Sequence, residues 1–511
     1  MKLSGLIMIL TMLASGVQAQ TVKDNHAGWH LVCNDSLQGA NVKAALEYLS
    51  MKGKKAKKPV VVGIIDSGAD TLLANISNAF WTNPKERRDG KDNDRNGYVD
   101  DIHGWNFLGT PDGTFNMTSA GTEEYRQFKR LYPKYKGVKR EEVADKAEYD
   151  FYLRMRKKAG INGYLMMYDI NRHKAVAIAM MDSIMQRENI NADTLTLKGV
   201  LMQDVQDTIW NRLGEMLVTD LLRSSKTTSW TDYKKSQADN LQLMKTRIDG
   251  IENAEDKRLL MGDDLENASD MYYGNNTLTV EGCEHGTFVA GVVGGNGGND
   301  KRYAGVADGV AKLMILRAAP GGDEYDKDVA TAIRYAVDNG AKVINISLGK
   351  YQSPTPQMVS DAIAYAAKHD VFVVHAAGNN GLCIDTIAYY PTGRDANGKA
   401  YPNYLRVGAC GMDGKCCKFS NYGSGNVDIL APGEAIASAF PNDNYRTSQG
   451  TSVAAPVVSG IVALIRSYFP KMKAADIKSL LMRTVRKNGQ EDKSLSGGCI
   501  DMLNAVKEII K

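Results

Sequence analysis

Val60-Val-Val-Gly-Ile-Ile-Asp66-Ser-Gly68 is an apolar run that ends on an acid and a turn. Its β-branched and small residues follow one another without a polar alternate, the pattern of a strand covered on both faces. Such a strand calls for helices on either side of its sheet, alternating with further strands. Apolar runs at Leu313 to Arg317, Val343 to Ser347, Val371 to His375 and Leu405 to Ala409 predict those strands. The segments Asp326 to Asp338 and Pro356 to Lys368 predict helices between them. The expected fold is α/β, a doubly wound and mostly parallel sheet. Ligands of such sheets bind beyond the carboxyl ends of strands, where Asp66, Ser347 and Asn379 fall.

Further polar residues stand at element boundaries. Ser452, in Gly450-Thr-Ser452-Val-Ala-Ala-Pro456, opens an apolar helical run to Tyr468. Serine at a helix start is commonly a cap. Here Gly450 permits a tight turn, Pro456 is tolerated in the first helical turn, and the free N–H groups of that end face any developing oxyanion. His285, in Cys283-Glu-His285-Gly-Thr, precedes the run Phe288 to Val293. Asn379 closes His375-Ala-Ala-Gly378-Asn379; it is a turn residue by type, but its amide suits the same oxyanion. An acid, a base and a nucleophile are the parts of a Ser-His-Asp hydrolase, with Ser452 attacking, His285 carrying the proton and Asp66 orienting the ring.

These four motifs resemble those of the subtilisin-like serine peptidases, the subtilases, in which acid, base and nucleophile follow the same order. The resemblance covers roughly residues 41–107 and 280–511. It implies a secreted serine endopeptidase working through an acyl-enzyme, its oxyanion held by the Asn379 side chain and the Ser452 N–H. It also implies that Ser347-Leu348-Gly349 forms one wall of a cleft in which a protein or peptide substrate lies extended as an added strand. Ala376, Ala377 and Gly378 would line the primary side-chain pocket, and their small size suggests room for a large apolar side chain. The chemistry itself needs no cofactor. Phe288 departs from the family, which usually carries a second His there. Only about 40 residues separate Gln20 from the first strand, too few for an inhibitory pro-domain with its own core. Two rival readings share parts of the pattern: a silent module that captures peptides, and a Ser-Glu-Asp carboxyl peptidase, which needs no His-Gly-Thr segment.

Between the motifs lies a different texture. Residues 108–278 show amphipathic helical spacing rich in Lys, Arg, Glu and Gln, and predict an inserted helical subdomain, either a scaffold or a control on access. The organisation expected is a signal peptide over 1–19, a lead with one helix over 20–59, the catalytic domain over 60–107 and 279–511, and the insertion over 108–278. Within the first block, Asp92-Asn-Asp94-Arg-Asn96-Gly-Tyr98-Val-Asp100-Asp101 alternates oxygen-bearing side chains and turns at a glycine, like an EF-hand calcium loop. Asp92, Asp94, Asn96 and Asp101, with the Tyr98 carbonyl, are the expected ligands of a structural Ca2+. His103 stands where such a loop carries its bidentate Glu.

The whole chain has 511 residues, 43% apolar and 24% charged, with a formal net charge of +4. So even a balance points to no nucleic acid and no membrane surface as partner, and its seven His form no zinc motif. Lys2, the apolar stretch Leu6 to Leu13 and Val17-Gln18-Ala19 have the form of a cleavable secretory signal. A secreted or periplasmic location follows, with no later segment long and apolar enough to span a bilayer. Export permits disulfides, and Cys383 with one of Cys410, Cys416 and Cys417 is one pairing among the seven cysteines. Nothing in the pattern sets an oligomeric state.

Overall fold

The computed structural model describes residues 26–511 apart from 222, 223, 226, 254, 255 and 443; the expected signal peptide lies outside the described residues. These residues form two compact units. One holds the described residues up to Glu123 together with Lys257–Lys511, and the other is Glu124–Asp256.

The first unit is built on a sheet of nine strands. In chain order they are β1 (Val60–Asp66), β2 (Gly104–Asn106), β3 (Ala311–Arg317), β4 (Val343–Ile346), β5 (Phe372–Ala376), β6 (Tyr404–Cys410), β7 (Ile429–Pro432), β8 (Arg486–Lys487) and β9 (Gly498–Cys499). Across the sheet they run β8-β9-β7-β6-β5-β4-β1-β3-β2. Every pair but β8–β9 is parallel, the doubly wound α/β fold expected. Register brings the carboxyl ends level: Asp66 pairs with Arg317, Ile65 with Ile346, and Ile346 with His375. The residues just past these pairs therefore share one edge.

Helices cover both faces. Val62 and Ile64 of β1 pack into a core that includes helix α1 (Glu284–Gly294) and helix α4 (Thr451–Tyr468). Ile65 enters the opposite core, with helices α2 (Asp326–Asp338) and α3 (Pro356–Lys368). This explains why β1 has no polar alternate. It also corrects the expectation about spanning segments: α4 is long and apolar enough to cross a membrane, and 89% of it is buried inside the fold. Its apolarity is that of a helix with strands and helices around it.

The inserted unit is narrower than residues 108–278, because both flanks belong to the sheet unit. Asn275 Nδ2 donates to Asn116 Oδ1 at 3.0 Å, Trp105 Nε1 donates to the Tyr273 carbonyl at 2.7 Å, and Arg258 pairs with Asp328 of α2 at 2.6 Å. Within Glu124–Asp256, helices Ile161–Arg187, Trp210–Leu221 and Trp230–Asn253 surround a core of Met181, Met185, Leu217, Trp210 and Trp230. Glu123–Tyr135 and Lys146–Lys158 contribute a second, aromatic core around Phe128, Tyr149 and Tyr152. Between Leu197 and Leu221 the chain forms two helices, Leu197–Leu201 and Trp210–Leu221. All seven cysteines are free thiols, Cys383 included.

Candidate active site

Asp66 is the last residue of β1 and is 2% exposed. Its Oδ1 accepts from the Ser67 N–H at 2.7 Å and lies 2.7 Å from His285 Nδ1. His285 sits in the first turn of α1, which comes close to the chain just after β1. Gly286 makes that approach possible: a Cβ there would fall 2.0 Å from the Gly68 carbonyl oxygen. The Gly286 N–H also donates to Ser67 Oγ at 3.1 Å. Burial opposes the imidazolium, but the charge and hydrogen bond of Asp66 outweigh it and raise the pKa of His285 above its ordinary 6.5. The ring is nonetheless open to the cleft, with a side-chain exposure of 48%. Among the described residues His285 Nε2 has no hydrogen-bond partner.

Ser452 stands at the start of α4. Pro456, four residues on, has no N–H, so the Ser452 carbonyl loses its usual helical donor. Ser347 replaces it, donating from Oγ to the Ser452 carbonyl at 2.8 Å. Asn345 Nδ2 donates to Ser347 Oγ at 2.9 Å, and Ser459 Oγ donates to Asn345 Oδ1 at 2.9 Å. A satisfied polar chain thus ties α4 to the end of β4. Asn345 and Ser459 were not visible as site residues in the sequence; the signal was Pro456, which leaves a carbonyl needing a donor.

Asn379 is held from the other side. Its Oδ1 accepts from Thr451 N–H at 2.8 Å and from Thr451 Oγ1 at 3.0 Å, while Gly378 N–H donates to Thr451 Oγ1 at 2.9 Å. Two donors on Oδ1 fix the amide orientation and leave Nδ2 open. Gly450 has φ +149, and a Cβ there would sit 3.1 Å from Ser452 Oγ and 3.3 Å from Asn379 Nδ2. Serine hydroxyl and asparagine amide therefore border the same small space, which only glycine leaves clear.

A cleft of 260 Å³ opens beside this edge, lined by Asp66, His285, Arg317, Ser347 and Leu348 among others. Arg317, the last residue of β3, is 1% exposed, and burial pushes its guanidinium down to about 10. Its Nη1 donates to Asn106 Oδ1 at 2.9 Å. The segments Ser347-Leu348-Gly349 and Ala376-Ala377-Gly378 leave the adjacent strands β4 and β5 side by side. The space between them is not vacant, contrary to the expectation of room for a large apolar side chain. The ring of Tyr389 lies there: a Cβ on Gly349 would meet its hydroxyl at 2.6 Å, and one on Gly378 its Cζ at 2.9 Å.

The acidic loop is rearranged relative to the expected ligand set. Glu86, Asp92 and Asp94 bring carboxylate oxygens within 4.8 Å of one another. Asp101 turns into the core instead, at 0% exposure: Asn83 Nδ2 donates to it at 2.7 Å, Asn96 Nδ2 at 2.9 Å and Tyr335 Oη at 2.5 Å. Burial pushes its carboxyl up to about 6. The Asn96 Oδ1 accepts from the Tyr98 N–H at 2.8 Å, closing the loop on itself. Glu86, outside the alternating stretch, could be found only from the fold. Cys283, two residues before His285, is buried, and burial raises its thiol pKa.

Fold and site together define an α/β protein that gathers its acid, imidazole, hydroxyl and amide at the carboxyl edge of a parallel sheet. A sequence model of the subtilase family matches residues 57–498, and the chain belongs to that family. It is 32% identical over 279 residues to the thermophilic serine proteinase of Bacillus sp. (strain AK1), covering 54% of this chain and 64% of the relative. With subtilisin Savinase of Lederbergia lenta the identity is 32% over 220 residues, covering 43% of this chain and 76% of the relative. The epidermin leader peptide processing serine protease of Staphylococcus aureus is a structural neighbour at 25% identity and TM-score 0.41, over 47% of this chain and 66% of that one. The chain spans between half and two thirds of the length of several curated relatives it matches.

Proposed function

We propose that this chain is a serine endopeptidase whose machinery is Ser452, His285, Asp66 and Asn379. Ser452 Oγ adds to the carbonyl carbon of a peptide bond while its proton passes to His285 Nε2. The oxyanion so formed accepts from Asn379 Nδ2 and the Ser452 N–H, where one such donor stabilises the transition state by roughly 2.7–4 kcal/mol. The C–N bond then breaks as His285 returns the proton to the leaving amine, and water hydrolyses the Ser452 ester by the reverse proton path. Asp66 holds the imidazole by Nδ1 and stabilises its charged form. The substrate lies extended, its backbone pairing with Ser347-Leu348-Gly349. The single observation that carries this reading is the 2.7 Å contact between His285 Nδ1 and the buried Asp66 carboxylate. Membership of the subtilase family supports it. The N-terminal signal pattern supports action outside the cytoplasm.

The test combines a labelled fluorophosphonate with a peptide library. Labelling that maps to Ser452, with cleavage products that vanish in Ser452→Ala, is the expected result. Failure of the probe to modify Ser452 would instead favour a silent peptide-binding module, and cleavage confined to acid would favour the carboxyl-peptidase chemistry.

A structural Ca2+ belongs to the same proposal, with a changed ligand set of Glu86, Asp92 and Asp94. Glu86 is 7% exposed and its Oε2 has no hydrogen-bond partner among the described residues. An unpartnered buried carboxylate oxygen beside two more carboxylates suits a hard cation. The ion would tie the loop after β1 together and take no part in the chemistry. Isothermal titration with Ca2+ and with Glu86→Gln tests it: lost or much weakened heat in the variant is expected, and equal binding by both proteins removes Glu86 from the set.

A further inference from the structure

We infer that Tyr389 sets the primary specificity of the proposed cleavage, closing the pocket beneath Ser452 so that only a small side chain fits before the scissile bond. The inference rests on the endopeptidase reading and on geometry within the sheet unit. With the carbonyl carbon on Ser452 Oγ and its oxygen turned to Asn379 Nδ2, the side chain on the neighbouring α-carbon must enter between the two segments that flank Ser452. Those segments are 347–349, tied to the Ser452 carbonyl by Ser347, and 376–378, tied to Thr451 through Gly378. Glycine on both walls, at 349 and 378, would ordinarily leave a deep slot. The phenol of Tyr389 fills it, presenting Oη and Cε1 to Gly349 and Cε2 to Gly378.

The ring is not free to swing aside. Tyr389 is 6% exposed and stacks on His375 with centroids 5.6 Å apart and planes at 15°. Tyr351 meets it edge-on at 5.1 Å. His375 is itself fixed, its Nε2 lying 2.8 Å from the Leu348 carbonyl and its Nδ1 2.5 Å from Tyr404 Oη. Burial, then the charge of Arg406, keeps that imidazole neutral, so it is an uncharged platform for the phenol. Displacing a ring packed on this scale costs more than the binding of one side chain returns. Glycine, alanine and serine fit in front of the phenol, whereas leucine and phenylalanine collide with it.

The experiment uses the full chain and peptides that differ only in the residue before the scissile bond: Gly, Ala, Ser, Leu or Phe. Fluorophosphonate titration counts working sites, so a poorly folded variant registers as fewer sites and not as altered preference. Wild type is expected to favour Ala over Phe by about 100-fold in kcat/KM. Tyr389→Gly should raise kcat/KM for Phe by a similar factor and invert the ranking, while Tyr389→Phe, which keeps the ring, should preserve it. Wild type that cuts equally well after Phe and Ala overturns the inference, whether or not Tyr389→Gly folds. An unchanged ranking in well-titrated Tyr389→Gly overturns it too. Absence of both labelling and cleavage in wild type sinks the endopeptidase reading itself, a different outcome from labelling with the wrong preference.

Discussion

The core of the helical unit and the carboxyl edge of the sheet treat their polar side chains differently. In the helical unit the polar tips of large side chains close on one another: Trp230 Nε1 donates to Asp182 at 2.7 Å, Tyr233 Oη to Asp220 at 2.7 Å, and Lys174 pairs with Asp220 at 2.6 Å. At the carboxyl edge of the sheet equally tight bonds hold residues whose outer atoms stay open, whereas deeper in that unit groups such as Arg258 and Asp328 pair as fully as in the helical one. Thr451 occupies Asn379 Oδ1 and leaves Nδ2; Asp66 occupies His285 Nδ1 and leaves Nε2. A side chain satisfied at both ends serves packing. One pinned at a single end and open at the other is positioned for a substrate, and such residues gather where parallel strands stop.

The sharpest test of that contrast is Ser452→Ala. Removing the nucleophile should lower kcat by about 10⁶-fold, while unfolding free energy stays within about 0.5 kcal/mol because Ser452 is only half-buried and its Oγ has no hydrogen-bond partner among the described residues. Stopped assays on purified protein beside a denaturant titration read both. A large stability loss would mean the hydroxyl is structural after all. Asp66→Asn comes next, with an expected loss of about 10⁴ in kcat from the wrong tautomer. On the other side of the comparison, Trp230→Ala should cost about 3–5 kcal/mol in stability, mostly from the cavity, since Asp182 keeps its pair with Lys234 at 2.8 Å. Its kcat/KM per titrated site should match wild type. A fall in that ratio would give the helical unit a share in catalysis and break the distinction. Asn379→Ala should reduce kcat by about 10²–10³ through loss of the open Nδ2, and should also cost about 1–3 kcal/mol in stability, because buried Thr451 loses the Oδ1 that accepts from its N–H and Oγ1.

Much of this was legible in the chain because parallel strands and their ends carry strong local signals. Val60 to Ile65 announces a strand covered on both faces, and Asp66, His285, Asn379 and Ser452 each stand where an apolar run starts or stops. What stayed hidden depends on residues meeting across long separations. Tyr389 lies in a loop whose sequence says nothing of the slot between Gly349 and Gly378. Glu86 precedes the alternating acidic stretch, and Asp101, which fits the alternation, is drawn inward by Tyr335 from α2, far along the chain. The flanks 108–123 and 257–278 read as part of the insertion because periodicity does not reveal that Trp105 needs the Tyr273 carbonyl.

The smallest expected effect is a shift in pH dependence, and its sign follows from the pair Asp66–His285. Catalysis needs the neutral imidazole, so activity falls as His285 gains its proton. Asp66 raises the pKa of His285 above 6.5 against the opposing effect of burial, so the acid limb of kcat/KM, which reports the free enzyme, should lie above pH 6.5. In Asp66→Asn the negative charge is gone while the burial remains, and the limb should move to lower pH. Salt should barely alter the wild-type position, since Asp66 is buried and screening acts mainly on exposed pairs. Rate profiles of the two proteins, taken with a substrate that carries no titrating group, measure the difference. A wild-type limb below 6.5, or one unmoved by Asp66→Asn, would mean that the carboxylate positions the ring without raising its basicity.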